Sequence, residues 1–298
     1  MGAHEGTARK VPVDGRELEV AVYGPEDGVP IVVHHGTPGV AGLFDSLVEV
    51  GAERGIRHIT YSRPGYGGST RHAGRSVADC VADVVAIADA LGCKRFHAVG
   101  GSGGGPHSIA CAALLPERVI SAAAIATPAP LDAVGLDWTA GMGAENIAEI
   151  AAVRAGDREL EEYLEREAAE IEGVSGTEIA AVFGDVVCEA DRRVISGPFA
   201  EWLAEDCAKS LAAGVWGWFD DDRALFRDWG FELGEIASPL TLWHGEEDRF
   251  VPVAHGKWMG TRTGAKAELR AGEGHLSLAV SSYGEILDDL LQSVPLRQ

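Results

Sequence analysis

The chain has 298 residues, 46% of them hydrophobic and 24% charged, with a formal net charge of -21 at pH 7. A chain of that length and composition can bury a substantial core. Its acidity, with no local cluster of Lys or Arg, argues against binding to nucleic acid or to an anionic membrane surface.

In chain order, "RELEVAVY" from Arg16 to Tyr23 alternates in the manner of a strand, and "PIVVHH" from Pro30 to His35 is a β-branched run closed by a Gly/Pro turn. "LFDSLVEVGAERG" reads as a helix ending at Gly55, "IRHITYS" as the following strand, and "RPGYGGS" as its stop. "SVADCVADVVAIADALG" has apolar residues at helical spacing, with Ser76 as the expected N-cap and Gly92 as the C-terminal stop. "FHAVGGS" and "VISAAAIATPAP" are further strands, joined by a helix over about Gly104 to Leu115. Strands alternating with helices imply a mainly parallel, doubly wound α/β sheet.

After Pro130 the texture changes to helical segments only, as far as Glu235. In "DRELEEYLEREAAEIEG", Leu160, Tyr163, Leu164, Ala168 and Ile171 fall on one stripe. Residues 131–235 hold 25 acidic and 8 basic side chains, so most of the net charge lies here, and it is expected on exposed helix faces. Strands resume with "PLTLWHGEEDRFVP" and "AKAELRAGEGH", and "SYGEILDDLLQSV" is a last helix. The division is therefore a core over 1–130 and 236–298, split by a helical insertion over 131–235.

Ser102 stands among glycines 100, 101, 103, 104 and 105, where the strand "FHAV" meets a helix. A sharp strand-to-helix turn strains its central residue and brings neighbouring backbone so close that Gly100 and Gly104 must lack side chains. The helix N-terminus beside the hydroxyl favours negative charge developing there. A nucleotide loop is a poorer fit, because no Lys follows the turn and the turn comes late in the chain. A serine nucleophile needs a base, and the base needs an orienting carboxylate. Asp248, past the strand "PLTLWHG", and His275, past the next strand, supply both in the order Ser, Asp, His. Asp132, after the preceding strand, is the alternative acid.

These motifs resemble the α/β-hydrolase superfamily over nearly the whole chain. "HGTPG" is similar to that family's oxyanion loop, "SRPGYGGS" to its post-strand turn, and "HGEEDRFVP" and "GEGH" to its acid and base motifs. The resemblance implies a catalytic triad of Ser102, Asp248 and His275, with the backbone N–H groups of Thr37 and Gly103 as the oxyanion hole. It also implies that the helical insertion is a cap over the nucleophile. The aromatic residues Trp138, Trp202, Trp216, Trp218 and Phe219 are candidate pocket lining, and Gly103 is expected to leave room beside the nucleophile. His35 would brace the oxyanion loop, Arg63 and Tyr66 would shape the following turn, and His34, His97, His107 and His255 are expected to be structural.

The expected activity is that of a serine hydrolase cleaving a carboxylic ester or related acyl bond of a small, largely apolar substrate. Serine at position 102 argues against the epoxide hydrolases and haloalkane dehalogenases, which use aspartate. Proline iminopeptidases share an acidic cap that can recognise an amine, but their HGGPG loop and the tryptophan after the nucleophile are replaced here at Thr37 and Gly103; an aminopeptidase is thus the second reading. A ligand receptor with vestigial hydrolysis is a third. No HExxH or Cys cluster occurs and the adjacent His34 and His35 point to opposite strand faces, so no metal and no cofactor is expected. The five cysteines, Cys80, Cys93, Cys111, Cys188 and Cys207, form no CxxC pair and read as buried thiols in a reducing compartment. Without a signal-peptide core in "MGAHEGTARK" or an apolar run able to span a bilayer, the expectation is a cytoplasmic monomer or homodimer acting on a small molecule.

Overall fold

In the computed structural model, which describes residues 6–292, eight strands form one sheet. They are β1 Thr7–Val13, β2 Arg16–Tyr23, β3 Val29–His34, β4 Ile56–Tyr61, β5 Phe96–Gly101, β6 Val119–Ile125, β7 Leu240–Gly245 and β8 Lys266–Arg270, in the order β1-β2-β4-β3-β5-β6-β7-β8. β1, β2 and β4 pair antiparallel, and β4 through β8 pair in parallel. The helices are α1 Asp45–Ala52, α2 Cys80–Ala90, α3 Gly105–Leu114, α4 Ala144–Ala155, α5 Asp157–Ile171, α6 Ile179–Val182, α7 Glu189–Val194, α8 Gly197–Leu211, α9 Trp216–Leu225, α10 Ala254–Thr263, α11 His275–Ser281 and α12 Tyr283–Gln292.

The central strands are buried along nearly their whole length because both faces of the sheet are covered. Val32, Ala98, Ala124 and Leu242 pack with Val84 and Ile87 of α2 and Ile109 of α3. Their chain neighbours Ile31, Val99, Ala123, Ile125 and Trp243 point the other way and pack with Leu278, Ile286, Leu287 and Leu290 of α11 and α12. The chain runs from β3 to β4 on one side, then returns through α2 to β5 on the other. That reversal opens a crevice at the carboxyl ends of the strands, where α/β sheets bind ligands.

The main departures from expectation have local causes. α2 begins at Cys80 and not just after Ser76, because the Ser76 N–H and hydroxyl both donate to Asp79 (2.6 and 2.8 Å) and the Ala78 N–H donates to the Trp229 carbonyl, closing a separate turn first. β1 carries Pro12 and four exposed residues, a pattern tolerated because it is an edge strand with β2 as its neighbour. The last helix ends within the described residues at Gln292; the predicted Ser293 and Val294 lie outside them.

The helices α4 to α9 form the cap inserted between β6 and β7. Leu160, Tyr163, Leu164 and Ile171, the stripe read on α5, are buried in its core with Phe199, Leu203 and Trp218. The cap's acids are not all solvated as expected: Asp191, Asp220, Asp221 and Asp222 are buried. Asp221 on α9 accepts hydrogen bonds from Arg63 (2.6 Å), Arg75 (2.9 Å), Tyr66 (3.0 Å) and the Thr37 hydroxyl (2.8 Å). Burial alone would raise its pKa, but the two guanidinium groups hold its carboxyl far below the usual carboxylate range.

Removing that charge would leave Arg63 and Arg75 buried without their counter-ion, so Asp221→Ala should cost about 3–5 kcal/mol in urea unfolding at pH 7. Because the folded pKa lies below the ordinary 3.8, the contribution is complete above that value and is lost as pH falls beneath it. The gap between wild type and variant should therefore narrow in acid titrations below pH 3.8; an unchanged gap there, or a cost under about 1 kcal/mol at pH 7, would refute the assignment.

Candidate active site

Ser102 follows β5 directly and opens a one-turn 3-10 helix, Ser102–Gly104, that leads into α3. It has φ of 53°, a left-handed conformation that costs a non-glycine residue about 1–2 kcal/mol. The flanking glycines permit the turn: a Cβ at Gly100 would lie 2.1 Å from the Gly104 carbonyl oxygen, and one at Gly104 would lie 2.2 Å from that of His34. The half-buried Ser102 is thereby presented to a cavity between sheet and cap.

Asp248 lies in the turn after β7, and His275 begins α11 after β8. Asp248 Oδ1 accepts the Phe250 and Val251 N–H groups (2.9 and 2.8 Å), which orients the carboxylate. Oδ2 then accepts His275 Nδ1–H at 2.8 Å, leaving Nε2 as the ring atom free to take a proton. Burial pushes the His275 pKa down, but the charges of Asp248 and Asp191 raise it further, and the net shift is above the ordinary 6.5. The imidazole stacks on Phe250, with ring centroids 4.6 Å apart, and Phe250 lines the same cavity as Ser102. Asp132, by contrast, is exposed on a separate groove among residues 130–134, 226–234 and 258–262.

The loop after β3 brings Thr37 to this cavity beside Ser102 and Gly103. It is held by Arg63, whose Nη2 donates to the Gly36 carbonyl (2.7 Å) and to the Thr37 hydroxyl (3.0 Å), while Nη1 donates to the His35 carbonyl. His35 Nε2 accepts the Arg63 N–H at 3.0 Å, and its Nδ1–H donates to the Gly36 carbonyl. Gly103 does not leave free room: a Cβ there would lie 2.3 Å from Thr37 Oγ1 and 3.2 Å from Leu225 Cδ1. His34, His97, His107 and His255 are buried, each bonded to a partner at 3.1 Å or less, and burial lowers the pKa of all four.

The cavity holds about 170 Å³. Trp138 and Trp218 line it with Met142, Ile150, Tyr163 and Phe226, but Trp202, Trp216 and Phe219 do not. Trp202 stacks on Phe199 at 5.8 Å, and Trp216 packs under the guanidinium of Arg71 at 4.1 Å and against Phe219. The three therefore hold the cap together, which is what large aromatics most often do. Polar groups also reach the cavity. Trp218 donates to Glu149 at 2.7 Å, and Glu149 and Asp222 share a hydrogen bond. Asp222 Oδ2 has no hydrogen-bond partner among the described residues. Burial pushes Glu149 up to about 7 and Asp222 well above the ordinary range, each raised further by a neighbouring carboxyl.

Residues 29–155 match the family described as "alpha/beta hydrolase fold". The chain is 28% identical over 286 residues to a non-heme chloroperoxidase of Streptomyces lividans, covering 94% of this chain and 97% of that protein. It is 26% identical over 263 residues to a 2-hydroxy-6-oxononadienedioate/2-hydroxy-6-oxononatrienedioate hydrolase of Cupriavidus pinatubonensis, covering 83% and 81%. A solved bromoperoxidase from Bacillus anthracis superposes with a TM-score of 0.71 at 20% identity, over 96% of this chain and all of that one, a likeness of fold. The chain has the α/β-hydrolase fold with an inserted helical cap. Among the described residues no helix is long and apolar enough to cross a membrane.

The carboxyl pair has a measurable signature. Glu149 binds its proton more tightly folded than unfolded, so the stability it contributes is full below 4.5 and is lost as pH rises through about 7. Glu149→Gln removes that loss. At pH 8 the variant should be more stable than wild type by on the order of 1–3 kcal/mol in urea, with little difference at pH 4.5; equal stability at both values would contradict the buried protonated pair.

Proposed function

We propose that the protein is a serine hydrolase that cleaves a carboxylic ester or related acyl bond of a small substrate. The observation that carries this reading is the oriented Asp248–His275 pair, bonded at 2.8 Å through Nδ1, beside a cavity that Ser102 enters from a strained turn. In this mechanism His275 Nε2 takes the hydroxyl proton as Ser102 Oγ attacks the carbonyl carbon. The Thr37 and Gly103 N–H groups stabilise the oxyanion; one such donor is worth about 3–4 kcal/mol in comparable hydrolases. His275 then returns the proton to the leaving group, and water, deprotonated by the same imidazole, resolves the acyl-enzyme. The mostly apolar cavity wall supports an uncharged acyl group.

A second reading, an aminopeptidase similar to proline iminopeptidases, draws on one specific observation. Glu149 and Asp222 place two adjacent carboxyls in the cavity, both raised above the ordinary carboxylate range. A substrate ammonium would let both carboxyls ionise by pairing with them. Acyl esters of short and long chain set against a prolyl anilide separate the readings. Ester turnover unaffected by Glu149→Gln supports the first; prolyl anilide turnover abolished by it supports the second.

A fluorophosphonate should label Ser102 in the wild type and not in Ser102→Ala, and labelling that survives the substitution would end the proposal. Turnover should fall as pH drops through the raised His275 pKa, with the acid limb above 6.5. Asp248→Asn should lower turnover by about 10⁴, as the loss of the orienting acid does in serine proteases; a tenfold loss would point to another acid.

A further inference from the structure

A second carboxylate reaches His275, and it comes from the cap. Asp191 on α7 is fully buried. Its Oδ1 accepts the N–H groups of Leu276 (2.8 Å) and Ser277 (2.9 Å), and its Oδ2 accepts the N–H of His275 itself (3.2 Å) and the Cys188 thiol (3.3 Å). Helix first turns are ordinarily satisfied by a residue one to three positions upstream. Here the residue upstream is Gly274, which has no side chain to offer, and the acceptor lies more than 80 residues away in another layer of the molecule. The fit leaves no slack: a Cβ at Gly274 would lie 2.4 Å from Cys188 Sγ and 2.5 Å from Asp191 Oδ2. No Lys or Arg pairs with Asp191 among the described residues, so its charge is directed at the backbone that carries the imidazole.

We propose that Asp191 is a positioning residue for His275, through which a seated cap fixes the orientation and basicity of the catalytic base. The proposal rests on the reading of His275 as that base. The titratable groups facing the imidazole are Asp248 and His244 from the β7 side and Asp191 and Cys188 from α7, with Phe250 stacked on the ring. His244 is kept neutral by burial and donates to the Val251 carbonyl at 2.7 Å. Asp248 and Asp191 are thus the two anions acting on the ring. Asp248 acts on Nδ1, and Asp191 acts through the main chain and at longer range.

The test measures His275 directly. The imidazole pKa is read by NMR titration, with the resonance assigned by difference from His275→Gln, in wild type, Asp191→Asn and Gly274→Ala. Asparagine keeps an acceptor for the Leu276 and Ser277 N–H groups but removes the charge, so the pKa should fall by about half a unit or more. Gly274→Ala keeps every charge but forces the carboxylate away, and it should lower the pKa in the same direction; it also serves if the asparagine variant does not fold. The rate of Ser102 labelling by a fluorophosphonate should drop about tenfold in both, and Asp191→Glu should recover part of it. A His275 pKa within 0.2 units of wild type in a folded variant overturns the proposal. Failure of wild-type Ser102 to label overturns the hydrolase reading instead, and the titration still decides whether Asp191 acts on the ring.

Discussion

The arrangement depends on one buried charge, the carboxylate of Asp221. A lone carboxylate inside a protein is strongly disfavoured, so it must be paired and hydrogen-bonded or it will take up a proton. Asp221 meets that demand with two guanidinium groups and two hydroxyls drawn from three places: the loop after β3, the turn after β4 and the segment before α2. In doing so it joins cap helix α9 to the loop carrying Thr37. Arg63 is held on one side by the charge and on the other by the carbonyls of His35 and Gly36, which gives the loop after β3 a definite shape.

The cap therefore contributes to both halves of the site. Asp221 steadies the loop opposite Ser102, and Asp191 meets the helix that begins with His275. Neither carboxylate lines the cavity, whose own acidic residues include Glu149 and Asp222. Three buried acids of one insertion carry separate tasks because their surroundings differ. Asp221 faces cations and stays ionised, Asp191 faces backbone N–H groups, and Asp222 faces another carboxyl that raises its pKa.

Much of the architecture was legible because it follows from periodicity and chain order. The parallel strands read as short, largely apolar runs, and the motifs around Thr37, Ser102, Asp248 and His275 all fall just beyond strand ends, where a parallel sheet gathers them on one rim. The cap acids were not legible in the same way. Asp220, Asp221 and Asp222 read as a solvated face, yet three consecutive residues span about 200° of a helix, so one of them had to point inward. That spacing was the available signal. Asp191 offered none, because its partner is main chain and leaves no mark on residue type. The aromatic residues were visible as large and apolar, but whether Trp202 or Trp218 meets the cavity depends on helix orientation in the cap. α10 was missed because Gly256 and Gly260 lower its helical propensity; Gly256 is there because a Cβ would lie 2.6 Å from the His244 ring.

The contact between residues 37 and 103 has a consequence for how this site can change. The threonine side chain occupies the volume that any side chain at 103 would need, so the two positions divide a single space between them. A side chain added at 103 alone collides with Thr37, whereas a smaller residue at 37 removes that collision and leaves the approach to Leu225. A change at 103 is thus tied to one at 37, and the wall beside Ser102 is built at present from the side of the loop after β3.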